Sequence, residues 1–119
     1  MLNHTRNQVN TLRTAADFKR MRQSAKRTRN QSFILNYGQA TTAEPRLGII
    51  ITKRSVRLAV QRNRIRRQIK EWFRQLSLDQ PAHDFIVIAA PNTGLLSNQE
   101  LRQSLTHLHQ KWQQLVSKA

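Results

Sequence analysis

The densest chemical signal in the chain is a run of cations. Gln61-Arg62-Asn63-Arg64-Ile65-Arg66-Arg67-Gln68-Ile69-Lys70-Glu71-Trp72-Phe73-Arg74 carries five arginines and a lysine within one segment of helical period. Guanidinium groups offer planar, two-pronged donors matched to phosphate oxygens, so such an array on one helix can follow a folded RNA backbone. Asn63 adds a donor and an acceptor that could read a base edge or a sugar hydroxyl, or stitch neighbouring backbone together. The acids suggest less. A metal-dependent nuclease built from protein alone needs carboxylates gathered around one or two divalent ions. Asp17, Glu44, Glu71, Asp79, Asp84 and Glu100 are scattered, with helix capping accounting for Asp17 and Glu100 and helix pairing for Glu71. His107 and His109 stand two apart on an expected helix and point in different directions, which suits surface positions better than a shared zinc ion. There is no cysteine, and no Ser–His–carboxylate set or glycine-rich phosphate loop is visible.

Charge is distributed in the same sense. The 119 residues include 21 Lys and Arg against 6 Asp and Glu, a formal charge of +15. Eighteen of the cations and three of the acids lie in positions 1–74, so the front of the chain carries the whole excess and the last 45 residues are neutral. A surface that only needed solvation would mix both signs, so the expected partner is a polyanion, nucleic acid first. No apolar run approaches the ~18 residues of a membrane span, and the first residues lack the apolar core of a secretory signal. A cytoplasmic protein without a membrane partner is expected.

The elements that must position the cations follow from periodicity. Residues 1–13 are polar and read as a mobile basic arm, leaving 14–119 as one RNA-binding domain. Thr14-Ala15-Ala16-Asp17 resembles a capping box, and Phe18, Met21 and Ala25 at helical spacing predict a helix over about 15–24. Ser24 to Gln31 reads as a basic connector. Residues 32–37 and 46–52 are strand-like and read as a hairpin with a long loop. From Ser55 to Leu76 a helix is predicted, with Ile65, Ile69, Trp72, Phe73 and Leu76 on one face and Arg66, Arg67, Lys70 and Arg74 on the other. Val56, Ala59 and Val60 fall off that stripe and are expected to bury against the sheet edge or the first helix. Asp84 to Ala90 has the composition of a buried central strand, after a loop over 77–83. Ser97-Asn98-Gln99-Glu100 is a capping box, and Leu101, Leu105, Leu108, Trp112 and Leu115 extend an amphipathic final helix. The class is α+β, a small mixed sheet covered by helices in the order helix, strand, strand, helix, strand, helix.

The segment Leu47-Gly48 to Ile51-Thr52-Lys53-Arg54, the approach Ala59 to Arg62, the motif Arg62-Asn63-Arg64-Ile65-Arg66-Arg67, then Ile69 and Phe73-Arg74, resemble in order and spacing the signature of the protein subunit of bacterial ribonuclease P. Ala16-Asp17-Phe18-Lys19 resembles that family's first helix, and Asp84-Phe85-Ile86-Val87-Ile88-Ala89 its last strand; the likeness spans roughly residues 10–116. It implies a compact fold with a left-handed crossover around the signature helix, contrary to the usual right-handed connection. It further implies a large catalytic RNA partner that binds Mg²⁺ together with its substrate. The protein would dock beside that RNA and hold the 5′ leader of precursor tRNA in a cleft between sheet and first helix, with no obligate protein partner. By position Arg62, Asn63, Arg64, Arg66, Arg67 and Lys70 would face the catalytic RNA, and Phe18, Arg22, Lys53 and Arg54 would serve the leader cleft. Phe18 has a second reading as part of a core stripe with Met21.

The chain departs from the family pattern at three places. Arg22 stands where many members carry a second aromatic, and a guanidinium plane or a phosphate contact could replace the stacking. Asn36 matches a cleft tyrosine of some members, so Tyr37 is expected on the opposite sheet face. Ala90-Pro91-Asn92 follows the last strand in place of a basic residue. The implied activity is endonucleolytic removal of the tRNA leader, with the bond-breaking chemistry in RNA and metal and no catalytic side chain in this chain. Rival readings are a structural RNA-binding protein of ribosomal type, a duplex-DNA binder, and a protein-only nuclease.

Overall fold

The computed structural model describes residues 11–12, 14–24, 26–39, 45–75 and 83–117. Its elements run α1 (Ala15–Ser24), β1 (Lys26–Arg29), β2 (Phe33–Gln39), β3 (Arg46–Ile50), α2 (Ala59–Arg74), β4 (His83–Ala89), a 3-10 turn (Pro91–Leu95) and α3 (Asn98–Ser117). The α+β class and the expected order of elements hold, with one strand added. Lys26–Arg29, read as a connector, is an edge strand antiparallel to β2. Of its four residues only Thr28 is buried, and the three cations face water, which suits an unpaired sheet edge.

The strand order is β1-β2-β4-β3, which corrects the expected hairpin between residues 32–37 and 46–52. β4 lies between those two strands, antiparallel to β2 and parallel to β3. The reason is burial. Phe85, Ile86, Val87 and Ala89 are each below 5% exposed, so β4 needs a strand on both sides and helices on both faces. β3 then reaches its parallel neighbour through α2, because parallel strands require a crossover.

Alternation sorts the side chains onto two faces. Phe33, Leu35, Tyr37, Leu47, Phe85, Val87 and Ala89 point to α2 and α3, which contribute Ile65, Ile69, Trp72, Phe73, Leu101, Leu105, Leu108 and Trp112. The opposite face carries Ile86, with half-buried Ile50 and Ile88, under α1 and its Met21 and Phe18. The capping box of α3 is formed: Ser97 N donates to Glu100 Oε1 (2.9 Å) and Glu100 N to Ser97 Oγ (3.1 Å).

Other expectations are corrected by burial. α2 begins at Ala59, not Ser55, because Thr52 to Ser55 form a turn closed by Ser55 N donating to Thr52 Oγ1. Val56 is buried, but Ala59 and Val60 are exposed and rest on neither sheet edge nor α1. Leu115 is exposed, and the neighbouring Val116 packs towards the core in its place. The expected arm lies outside the described residues except at Thr11 and Leu12, which are docked: Thr11 bridges to Leu47, and Leu12 N donates to Leu47 O (3.0 Å). Leu76, the loop over 77–82, Glu44 and Asp79 are also outside the described residues. Among those described, no helix is long and apolar enough to cross a membrane.

Candidate nucleic-acid interface

α2 turns Ile65, Ile69, Trp72 and Phe73 inward, and this fixes where its cations go. Arg67 and Asn63 stand exposed on the outward side, with Arg62, Arg64, Arg66 and Lys70 half-buried along the flanks. Three of these cations are held by neutral acceptors. Arg62 Nη1 donates to the carbonyls of Val56 (3.0 Å) and Arg57 (2.8 Å), binding the helix to the turn before it. Arg64 donates from Nε to Gln61 Oε1 (2.8 Å) and from Nη1 to Asn98 Oδ1 (2.9 Å) at the start of α3. Arg66 Nη1 donates to Asn63 Oδ1 (3.1 Å), so Asn63 orients a guanidinium as well as facing solvent.

Amide and carbonyl oxygens orient a guanidinium without cancelling its charge. Among the described residues only Arg74 of α2 has a carboxylate partner, Glu71 Oε2 at 2.5 Å. The charges of Arg62, Arg64, Arg66, Arg67 and Lys70 are therefore not offset by a carboxylate, and the hydrogen bonds of Arg62, Arg64 and Arg66 partly preset their rotamers, which lowers the entropy lost on binding an anion. Arg62 is only partly available, since both N–H groups of its Nη1 face the protein's own backbone; Nε and Nη2 remain for a ligand.

The residues expected to serve a leader cleft divide between α1 and the turn after β3. Phe18 is half-buried and lies over Gly48: a Cβ added there would stand 3.0 Å from Phe18 Cζ and 3.1 Å from Cε1. The ring thus belongs to the apolar cluster under α1 while the residue remains partly exposed. Arg22, one turn on, is exposed, as are Lys53 and Arg54 in the turn after β3. Asn36 is buried on the α1 side of the sheet and accepts from Arg27 Nε (3.1 Å). Tyr37 is on the other face, edge-on to Trp112 with centroids 6.2 Å apart, as the register expected.

A charged joint between α1 and the sheet had no sequence signal beyond an acid at the head of an apolar strand. Asp84 is fully buried and accepts from Arg20 Nη2 (2.6 Å) and from Arg46 Nη2 (3.0 Å) and Nε (3.3 Å). Arg46 also reaches Asp17 Oδ1 at 3.3 Å, so α1 and the first residues of β3 and β4 meet at one cluster. Asp84 holds the Arg46 guanidinium more firmly protonated than usual. The Thr14 hydroxyl, and then Arg46, keep the Asp17 carboxyl below its ordinary range against an opposing push from burial. His109, expected at the surface, is instead half-buried, stacked on Trp112 (5.7 Å) and edge-on to Trp72 (6.2 Å). Burial lowers its pKa from 6.5. Among the described residues no three of His, Asp and Glu gather as a metal-ligand set.

A family model described as Ribonuclease P matches residues 7–113. The chain is similar to the ribonuclease P protein component of Coxiella burnetii, 37% identical over 97 residues, covering 82% of this chain and 80% of that protein. It is also similar to that of Syntrophobacter fumaroxidans, 35% identical over 96 residues, covering 79% and 80%. Among solved structures it resembles the RNase P protein of Staphylococcus aureus, with a TM-score of 0.79 and 28% identity over 87% of this chain and 94% of that one. The Thermotoga maritima RNase P protein shares the fold, with a TM-score of 0.70 at 23% identity over 83% and 94%.

Proposed function

The chain belongs to the ribonuclease P protein family, and from that premise we propose how its own residues serve 5′ maturation of tRNA. α2 docks on the RNA subunit of the ribonucleoprotein through Arg62, Asn63, Arg64, Arg66, Arg67 and Lys70. The observation that supports this is that none of the five named cations has a carboxylate partner among the described residues, while Arg62, Arg64 and Arg66 are held by neutral oxygens. The face between α1 and the sheet, with Phe18, Arg22, Lys53 and Arg54, takes the 5′ leader of precursor tRNA. Mg²⁺ bound by RNA and substrate supplies the hydrolytic chemistry, and the side chains contribute position and charge.

Lowering phosphate repulsion between a polyanionic catalyst and a polyanionic substrate favours their encounter and the retention of divalent ions between them. No side chain needs to attack the phosphodiester. The setting is the cytoplasm, with precursor tRNA as substrate. No observation favours the ribosomal-type alternative.

Reconstitution tests the reading. The full chain is mixed with a transcript of a bacterial ribonuclease P RNA and precursor tRNA with and without its leader, at low Mg²⁺. Protein-dependent cleavage at the mature 5′ end, with tighter binding of the leader-bearing substrate, is expected. Cleavage by the protein freed of RNA, or equal affinity for both substrates, overturns the assignment.

A further inference from the structure

Four large apolar side chains stand exposed among the described residues, and three of them occur at one end of the protein: Leu58 at 62%, Val60 at 69% and Leu95 at 88%. Leu58 and Val60 bracket the first residue of α2. Leu95 closes the 3-10 turn, which meets the same end: a Cβ on Gly94 would lie 3.6 Å from Val56 Cγ1, and Arg64 bonds Asn98 just beyond the turn. Val60 precedes Asn63, Arg64 and Arg67 by three, four and seven residues, so its methyl groups lie within the outward cationic stripe. The first turn of α2 holds no acid, and Glu100, in the first turn of α3, has its carboxylate on Ser97 N.

Phosphate binding has no use for aliphatic groups amid cations, so the occupant must offer an apolar face inside an anionic frame. A second copy of this chain is disfavoured, because it would bring another +15 charge to the patch. An unstacked nucleobase satisfies both conditions, since its ring faces are apolar and its flanking phosphates are anionic. We infer that Leu58, Val60 and Leu95 form a seat for an unstacked nucleobase of the catalytic RNA, with Arg57, Arg64 and Arg67 on the flanking phosphates. This rests on α2 docking against that RNA.

A salt series separates the two claims. Full-length Leu58→Ser/Val60→Ser and Leu95→Ser variants are titrated against a bacterial ribonuclease P RNA transcript over a range of salt, with Arg67→Ala as the ionic control. Affinity of the double variant is expected to fall roughly tenfold, as loss of aliphatic contact predicts, with the slope of log affinity against log salt unchanged. Chemical probing of the wild-type complex should show one unpaired base protected that regains reactivity with the double variant. The melting temperature should not fall, because the side chains are exposed and serine is a good N-cap. Unchanged affinity, or a flattened slope, overturns the seat. So does a dimer of RNA-free wild type that the double variant abolishes, which would assign the patch to a second copy. If the wild type does not bind the RNA, or Arg67→Ala leaves the slope intact, RNA docking of α2 fails instead.

Discussion

Replacing Asp84 with asparagine removes a charge from the point where α1, β3 and β4 meet. The carboxylate is fully buried and receives three hydrogen bonds from two guanidiniums. Asparagine keeps the shape but offers one acceptor and turns an NH₂ towards donors. Breaking a buried ion pair from one side costs about 3–5 kcal/mol. The figure is reduced here because the Arg20 and Arg46 side chains are 32% and 18% exposed, and Arg46 retains Asp17. About 2–3 kcal/mol is therefore expected, which for a domain of this size lowers Tm by roughly 10–20 °C. Thermal unfolding followed by circular dichroism at low salt and at about 0.5 M salt measures it, and most of the loss should survive the salt because the cluster is shielded from ions. Arg46→Gln in the Asp84→Asn background should cost less than Arg46→Gln alone, since the two share one interaction. A Tm within a few degrees of wild type, or strict additivity of the two changes, would falsify the claim that this cluster fastens α1 to the sheet.

Gly48→Ala should cost about 1–2 kcal/mol, because its methyl group would meet the Phe18 ring at 3.0 Å and Ile86 Cγ1 at 3.3 Å; if the ring faces leader RNA, the preference for leader-bearing over leaderless precursor tRNA should shrink with it, in paired binding titrations. Arg67→Ala should weaken binding to the RNA subunit and reduce the salt slope by about one without altering Tm. Arg62→Ala should likewise weaken RNA binding and flatten the salt slope but, unlike Arg67→Ala, should lower Tm, because it releases the Val56 and Arg57 carbonyls; equal melting of the two variants would refute that difference. His109 has a pKa depressed by burial, so the unfolded chain takes up a proton first as pH falls. Its contribution is complete above the ordinary 6.5 and is lost as pH drops from there towards the folded value. Urea midpoints should decline over that window in the wild type and stay flatter in His109→Gln.

How much was legible from sequence depended on whether the signal was local. The Ser97 box, the inward stripe of α2 and the apolar run of β4 are written in short-range spacing, and the structure forms all three. β1 was obscured because an edge strand with outward cations looks like a basic connector, and only Thr28 of its residues is buried. The hairpin reading of 32–37 and 46–52 failed because neighbours in sequence need not pair, and no pattern within β2 or β3 records that β4 lies between them. The cationic motif was legible as chemistry, but the inward turn of Arg62 was not, since that depends on two carbonyls of the preceding turn. The Asp84 cluster joins residues up to 67 positions apart, from Asp17 to Asp84, and escapes any local window.

The position of β4 bears on how the chain is made. The strand that holds the sheet together is the last of the four to leave the ribosome, and both of its neighbours must wait for it with open edges. The arginine helix precedes it, so a cationic segment is already outside the exit tunnel while nothing yet secures its apolar side. Synthesis and folding are consequently coupled late, and a nascent chain stalled before residue 89 would present bare strands and unshielded arginines together.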